Sequence, residues 1–251
     1  MAKNFKRPDG RKNNEHRPIK AKVGIIPNAD GSAMFSTGDT IAIAAVYGPR
    51  QMHPQHKQDP EKGVLRCTYT MNSFSVSDRI RPGPSRRSME IGKITQWALE
   101  PAVMLEKFPS TVVDVHINII QADAGTRCAG INAASMALAH AGIPMKGLIS
   151  SISVGKLDKN VVVDLSKEEE DFEEGEGATD IPISMTSDKE LTHIQLDGKI
   201  DKKQLKEAIK LAEEACEEIK KIQTKALKES LGNEESVDED KDKDKNKEKS
   251  E

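Results

Sequence analysis

Three short stretches of this chain combine residue types that handle charged substrates. The first is Ala122-Asp123-Ala124-Gly125-Thr126-Arg127. Gly125 lets the backbone approach a ligand closely. If a helix begins there, its free amides and its dipole favour an anion. Thr126 adds a hydroxyl donor and Arg127 a bidentate cation. The combination reads as a phosphate site, with a plain helix start and a surface arginine as the equal alternative. The second is Pro84-Ser85-Arg86-Arg87-Ser88. Two arginines at a helix start also suit phosphate groups. Alone, that stretch reads more readily as a solvated basic turn, but two anion-suited helix starts in one chain strengthen each other. The third is the acidic run Glu168–Asp180. Most of it suits a solvated loop. Asp180 differs because it opens an apolar alternation through Ile181, Ile183 and Met185. A carboxylate beside a phosphate site can hold Mg²⁺ or act as a general acid.

Other chemistries are excluded or poorly supported. The chain has neither the GxxxxGK[ST] loop of ATPases nor a strand-linked GxGxxG, and Gly175-x-Gly177 is too acidic to cradle a phosphate. His53 and His56 lie in a polar loop without a third ligand, and His116 falls inside an alternating strand, where a structural role fits. Cys67, Cys128 and Cys216 are far apart and odd in number, which reads as buried thiols in a reducing cytoplasm. There is no leader pattern and no apolar run of about 18 residues, so no membrane is expected. Aromatics make up only 3% of the chain, which argues against a stacking platform for bases. The net charge of -3 comes from residues 233–251, where nine acids face five bases. The remainder is near neutral, and Arg79, Arg81, Arg86 and Arg87 form its basic cluster.

The elements that must position these residues follow from periodicity. Residues 1–20 are basic, broken by Pro8, Gly10 and Pro18, and read as an arm. Alternation predicts strands at Lys22–Ile26, Ser32–Phe35 and Thr40–Tyr47, resembling a meander. A polar loop at Gln51–Lys62 leads to a strand at Val64–Met71. Ser85 is the expected N-cap of a helix reaching Phe108 and kinked at Pro101. A strand at Val112–Gln121 precedes a small-residue buried helix at Cys128–His140. Two hairpins follow, at Ile149–Val154 with Val161–Asp164 and at Ile181–Met185 with Leu191–Leu196. A long amphipathic helix covers Lys202–Lys228. Residues 230–251 are low-complexity Lys, Asp and Glu, expected to be disordered. The reading is one α/β (α+β) domain over residues 21–229, with β-rich halves that hint at duplication.

Taken together, several motifs resemble the RNase PH family, and within it the ring subunits of the archaeal exosome. They are Arg7-Pro-Asp-Gly-Arg11 with Arg17-Pro-Ile19, Gly48-Pro-Arg50 with Met52-His-Pro54, Arg81 through Ile91, Gln121 through Arg127, and Ala139 through Met145. The resemblance runs from about Arg7 to about Glu229. It implies an RNase PH-like fold of two β-α modules in one domain. It implies 3′→5′ phosphorolysis, in which RNA and inorganic phosphate give a shortened RNA and a nucleoside diphosphate, reversible to 3′ tailing. The implied partners are RNA, an inactive paralogous ring subunit in a hetero-hexamer (a trimer of dimers), and RNA-binding cap subunits. Arg87, Gly125, Thr126 and Arg127 match phosphate-binding positions. Arg86 and Arg81 fall where RNA is contacted. Asp180 matches one of two carboxylates of the catalytic region, which would also hold Mg²⁺ or Mn²⁺.

The sequence departs from the family pattern twice. The second acid usually lies six residues before the Asp180 position. Here that is Glu174, whereas alignment from the preceding strand selects Asp171, with the extra residues looped out after it. Asp171 is the favoured partner of Asp180. Second, a family arginine that grips RNA is replaced by Gln55, for which Lys57 could compensate. The leading reading is the phosphorolytic enzyme. Its alternatives are a non-catalytic RNA-binding scaffold subunit and a self-assembling tRNA-trimming RNase PH.

Overall fold

The computed structural model describes residues 7–172 and 177–247, with side chains described as far as Ser230. Five strands form the first sheet: β1 (Ile19–Val23), β2 (Gly31–Thr37), β3 (Thr40–Gln51), β4 (Val64–Met71) and β5 (Thr111–Gln121), in the order β1-β2-β3-β5-β4. The first three are the expected meander. β1 pairs earlier than alternation predicts, because Gly24 adopts a φ of 72° and turns the chain out of the ladder. β4 runs parallel to β5. Parallel neighbours need a crossover, and this one carries α1 (Arg86–Leu99).

Ser85 caps α1 as expected: its hydroxyl accepts from the Ser88 amide at 3.0 Å, and Ser88 Oγ accepts from the Ser85 amide at 2.8 Å. The expected kinked helix to Phe108 is corrected. α1 ends at Leu99, and the chain continues through single turns at Glu100–Ala102 and Leu105–Lys107. Pro101 has no amide to donate back along the helix, so it stops α1 rather than bending it.

The second sheet contains β6 (Ser150–Leu157), β7 (Asn160–Val163), β8 (Ala178–Met185) and β9 (Leu191–Ile194), antiparallel in the order β7-β6-β8-β9. A single helical turn, α3 (Lys167–Glu170), sits between β7 and β8. Between the sheets lies α2 (Thr126–His140), which touches β2, β3 and β5 on one side and β6 and β8 on the other. Its alanines, glycine and serine are small because both sides are close. A Cβ on Gly31 of β2 would meet the Ala137 carbonyl oxygen at 2.4 Å. A helix apolar on every side is a core helix.

The long helix α4 (Lys202–Lys247) covers β6, β1 and β7 with Ala208, Ala212, Cys216 and Ile219 buried. It continues past residue 229, where the periodic apolar stripe gives out, so the expected boundary at 230 is not marked by a break in the helix. Residues 248–251 lie outside the described residues. Both sheets, α2 and α4 share one core cluster, which makes the unit one domain of mixed α/β class.

The arm is not loose where it is described. Residues 7–18 lack helix and strand, as expected, yet Arg7 is 2% exposed. Its guanidinium bonds Glu169 at 2.6 and 2.7 Å and the Val163 and Asp164 carbonyls at 2.9 and 2.7 Å. Residues 1–6 of the arm lie outside the described residues.

Candidate active site

Helices α1 and α2, the α3 turn and strand β8 converge on a cavity of about 620 Å³, whose wall includes Arg87, Arg127, Glu170, Asp171, Asp180 and Asp197. The approach to α2 explains part of this. After β5 the chain turns through Ala124 and Gly125, both left-handed, with φ of 56° and 62°. Glycine accepts that conformation freely, whereas Ala124 must be held there. Thr40 holds it: Thr40 Oγ1 accepts from the Asp123 amide at 2.9 Å and lies 2.7 Å from the Ala124 carbonyl oxygen. Gly125 then starts α2 with no side-chain cap. An uncapped helix start keeps orphan amides and the positive dipole end available to an anion.

Arg127, in the first turn of α2, reaches the cavity. One terminal nitrogen donates to Gln195 Oε1, while its buried Nε has no hydrogen-bond partner among the described residues. Buried donors without partners are rare, and an anion in the cavity would supply one. Thr126 is turned inward instead, 7% exposed, its oxygen accepting from the Tyr69 hydroxyl at 2.9 Å. Neither Thr126 nor Gly125 lines the cavity wall; they shape the helix start behind it. Arg87 faces the cavity from the first turn of α1, with Arg86 exposed beside it.

Asp180 sits on β8, where its backbone exchanges two hydrogen bonds of 2.9 Å with Asp197. Its carboxylate accepts from the Ser153 hydroxyl. Burial raises its pKa, and the Asp197 charge adds to this; the Ser153 bond and the Arg127 charge pull the other way. Asp171 lies on the wall but is exposed and paired with Lys167 at 2.5 Å. Its neighbour Glu170 is more enclosed. Burial raises the Glu170 pKa first, and the Asp180 charge raises it further. Reasoning from the sequence missed Glu170. The signal was Ser166-x-x-Glu169, a capping box whose turn fixes which of the consecutive acids faces inward. Glu174, the alternative second acid, lies outside the described residues.

His193, on β9, was also missed. Its Nδ1 is buried without a partner among the described residues, and burial with the nearby Arg127 charge lowers its pKa to about 4. It is therefore a neutral neighbour of Arg127. Gln55 and Lys57 occupy an exposed single turn, Gln55–Lys57, between β3 and β4, away from the cavity wall. Arg81 is exposed in the loop before α1. These three are not brought together with the cavity residues.

The family assignment follows from the match of the chain to two models. The "3' exoribonuclease family, domain 1" covers residues 15–144 and its domain 2 covers residues 147–215. The chain belongs to the RNase PH family of 3′ exoribonucleases. Relatives in this family include the exosome complex component Rrp41 of Pyrococcus furiosus, 50% identical over 227 residues, covering 90% of this chain and 89% of that one. The Methanopyrus kandleri component of the same name is 46% identical over 229 residues, covering 91% and 94%. Among solved structures, rice (Oryza sativa) Rrp46 superposes with a TM-score of 0.77 at 25% identity, covering 88% of this chain and 100% of that one. A chain of the Archaeoglobus fulgidus exosome with RNA bound to the active site gives 0.75 at 23% identity, over 86% and 92%, and supports the fold. The family junction, between residues 144 and 147, falls between α2 and β6, where one sheet gives way to the other.

Proposed function

We propose that the chain is the catalytic subunit of an exosome ring and shortens RNA from its 3′ end by phosphorolysis. The observation that carries this reading is the joint presence in one cavity of Arg87 from α1, Arg127 with an unpartnered buried nitrogen, and Asp180 with a raised pKa. Inorganic phosphate sits beside the start of α2, held by Arg127 and favoured by the positive end of that helix, which Gly125 and Thr126 shape. The RNA backbone approaches along Arg86 and Arg87, with Arg81 before them. Two anions must meet, and these cations offset their repulsion while fixing the line of attack. A phosphate oxygen forms a bond to the terminal phosphorus. The bond to the preceding 3′ oxygen breaks. Asp180, whose pKa burial raises, donates a proton to that oxygen. A nucleoside diphosphate leaves and the RNA is one nucleotide shorter. The reverse reaction extends a 3′ tail.

The cavity carboxylates are hard oxygen donors that suit Mg²⁺ or Mn²⁺. Among the described residues no three such groups cluster as a closed cage. As an alternative to proton donation, ionised Asp180 with Asp171 or Glu170 would hold the ion, which usually retains waters and uses one or two carboxylates. When bound, it would neutralise charge on the departing oxygen.

The partner surface adjoins the cavity. Met89 and Trp97 on α1 are 64% and 57% exposed; Leu191 and Ile194 on the edge strand β9 and Leu196 just after it are 46%, 41% and 49% exposed. β9 packs against α1, which brings exposed apolar residues of both elements to the side of an open strand edge. An inactive paralogous subunit would cover it in a hetero-hexamer, with RNA-binding caps on one face. The Rrp41 relatives are named exosome complex components, which supports assembly into a complex. No helix among the described residues is long and apolar enough to cross a membrane. The free cysteines fit a cytoplasmic setting.

The test combines the chain with its paralogue and end-labelled RNA, with and without phosphate. Nucleoside diphosphates are expected only when phosphate is present. Monophosphates released without it would identify a hydrolase. RNA bound but never shortened would identify a scaffold subunit.

A further inference from the structure

Arg17 lies behind the turn that carries Gly125, outside the cavity wall. Its side chain is 7% exposed and every nitrogen is engaged. The backbone amide and Nε donate to Asp164 Oδ2 at 2.8 and 2.9 Å, and Nη2 donates to Asp164 Oδ1 at 2.8 Å. Nη1 donates to the Asp123 carbonyl and, at 2.8 Å, to Asp123 Oδ2. The guanidinium therefore spans two carboxylates: Asp123, just after β5 of the first sheet, and Asp164, just after β7 of the second. Asp123 Oδ1 also accepts from the amide of Lys167 at 3.2 Å, at the first residue of α3. Arg17 thus ties the turn before α2 to the end of β7 across the seam between the sheets, and Asp123 itself extends the link to the helical turn that carries Glu170.

One grip falls on a left-handed residue and the other on the residue just before one. Asp164 has a φ of 56°, and so does Ala124, which directly follows Asp123. Non-glycine residues keep such a conformation only where their surroundings over-determine it. Ala124 has no polar side chain with which to stabilise itself, so Thr40 on one side and Arg17 on the other must do so. The guanidinium also lies close under the turn: a Cβ built on Gly125 would be 3.6 Å from Arg17 Nη2.

We propose that Arg17 is a positioning residue for the phosphate: it sets the angle of the Asp123–Gly125 turn, and through it the place where the α2 start and Arg127 hold the anion, without touching the anion. This rests on the phosphorolysis reading above. A purely structural arginine, once replaced, would lower stability and scale every activity down together. A positioning arginine shifts the phosphate dependence alone.

The experiment uses the assembled ring and inorganic phosphate. Arg17→Lys keeps the charge but cannot bridge two carboxylates with a planar fork. Asp123→Asn keeps the shape and the Arg17–Asp164 bridge, and serves if Arg17→Lys does not fold. The expected result is a KM for phosphate raised roughly tenfold to a hundredfold, the scale of a misplaced reactant. Saturated kcat, and RNA affinity measured without phosphate, stay within about threefold. An unchanged KM for phosphate in a folded variant, or equal losses in KM, kcat and RNA affinity, overturns the proposal. The unsubstituted ring decides the underlying reading separately. If it shortens RNA without phosphate, phosphorolysis fails and this proposal falls with it. If it requires phosphate and the folded variants match it, this proposal alone fails.

Discussion

Glu170 and Asp171 are adjacent in the chain and similar in chemistry, yet their surroundings differ. Asp171 is solvated and paired with Lys167, while Glu170 is partly enclosed near Asp180. Asp180→Asn is expected to cut turnover about 10²-fold or more, as for the loss of a positioned acid. Glu170→Gln should fall in the same range and Asp171→Asn should cost little, measured as diphosphate release at saturating phosphate. The reverse order would restore Asp171 as the partner acid. A pH dependence follows as well. Asp180 and Glu170 both have raised pKa values, so the folded protein binds their protons more tightly than the unfolded chain does. Their contribution to stability is full below the ordinary carboxylate range and is lost as pH rises through their raised values. Melting temperatures from about pH 4 to about pH 7 should show that loss, and Asp180→Asn, which cannot ionise, should flatten it. Arg87, Arg127 and Asp180 were legible in the sequence because a helix start or a strand start lies within a residue or two of each. Glu170 was not, because composition cannot say which acid in a run points inward.

At the scale of elements, the strands and the core helix were legible because alternation and small-residue runs are local patterns. Pro101 was read as a kink where it is a stop, since periodicity continues through the single turns that follow α1. The arm was illegible in a different way. Arg7 is held by groups more than 150 residues away, and no local pattern encodes such partners. The turn holding Gln55 and Lys57 is exposed and separate from the cavity, which suits a contact with RNA upstream of the cleaved end. Each phosphate contact adds about one unit to the salt slope of binding. Gln55→Arg should therefore steepen the dependence of RNA affinity on salt by about one unit and tighten binding at low salt. An unchanged slope would mean that this turn does not face the RNA path.

At the scale of the whole molecule, one core joins both sheets through α2, and α4 closes it from outside. Among the residues of α4 whose side chains are described, the last one buried in this core is Ala226. Ending the chain at Ser230 should leave ring assembly and RNA shortening intact and shift the melting temperature by no more than about 2 °C, a surface-scale change. Failure to assemble would show that the segment beyond Ser230 contacts a partner. The arm has a further consequence, in the timing of synthesis. Arg7 bonds Glu169 across a separation of 162 residues. On a ribosome adding roughly 5–20 residues per second, the Arg7 motif waits on the order of ten to thirty seconds for its partners. The same delay governs the Asp123–Arg17–Asp164 clamp and the acids of α3. A nascent chain therefore cannot complete its cavity until most of it has left the exit tunnel.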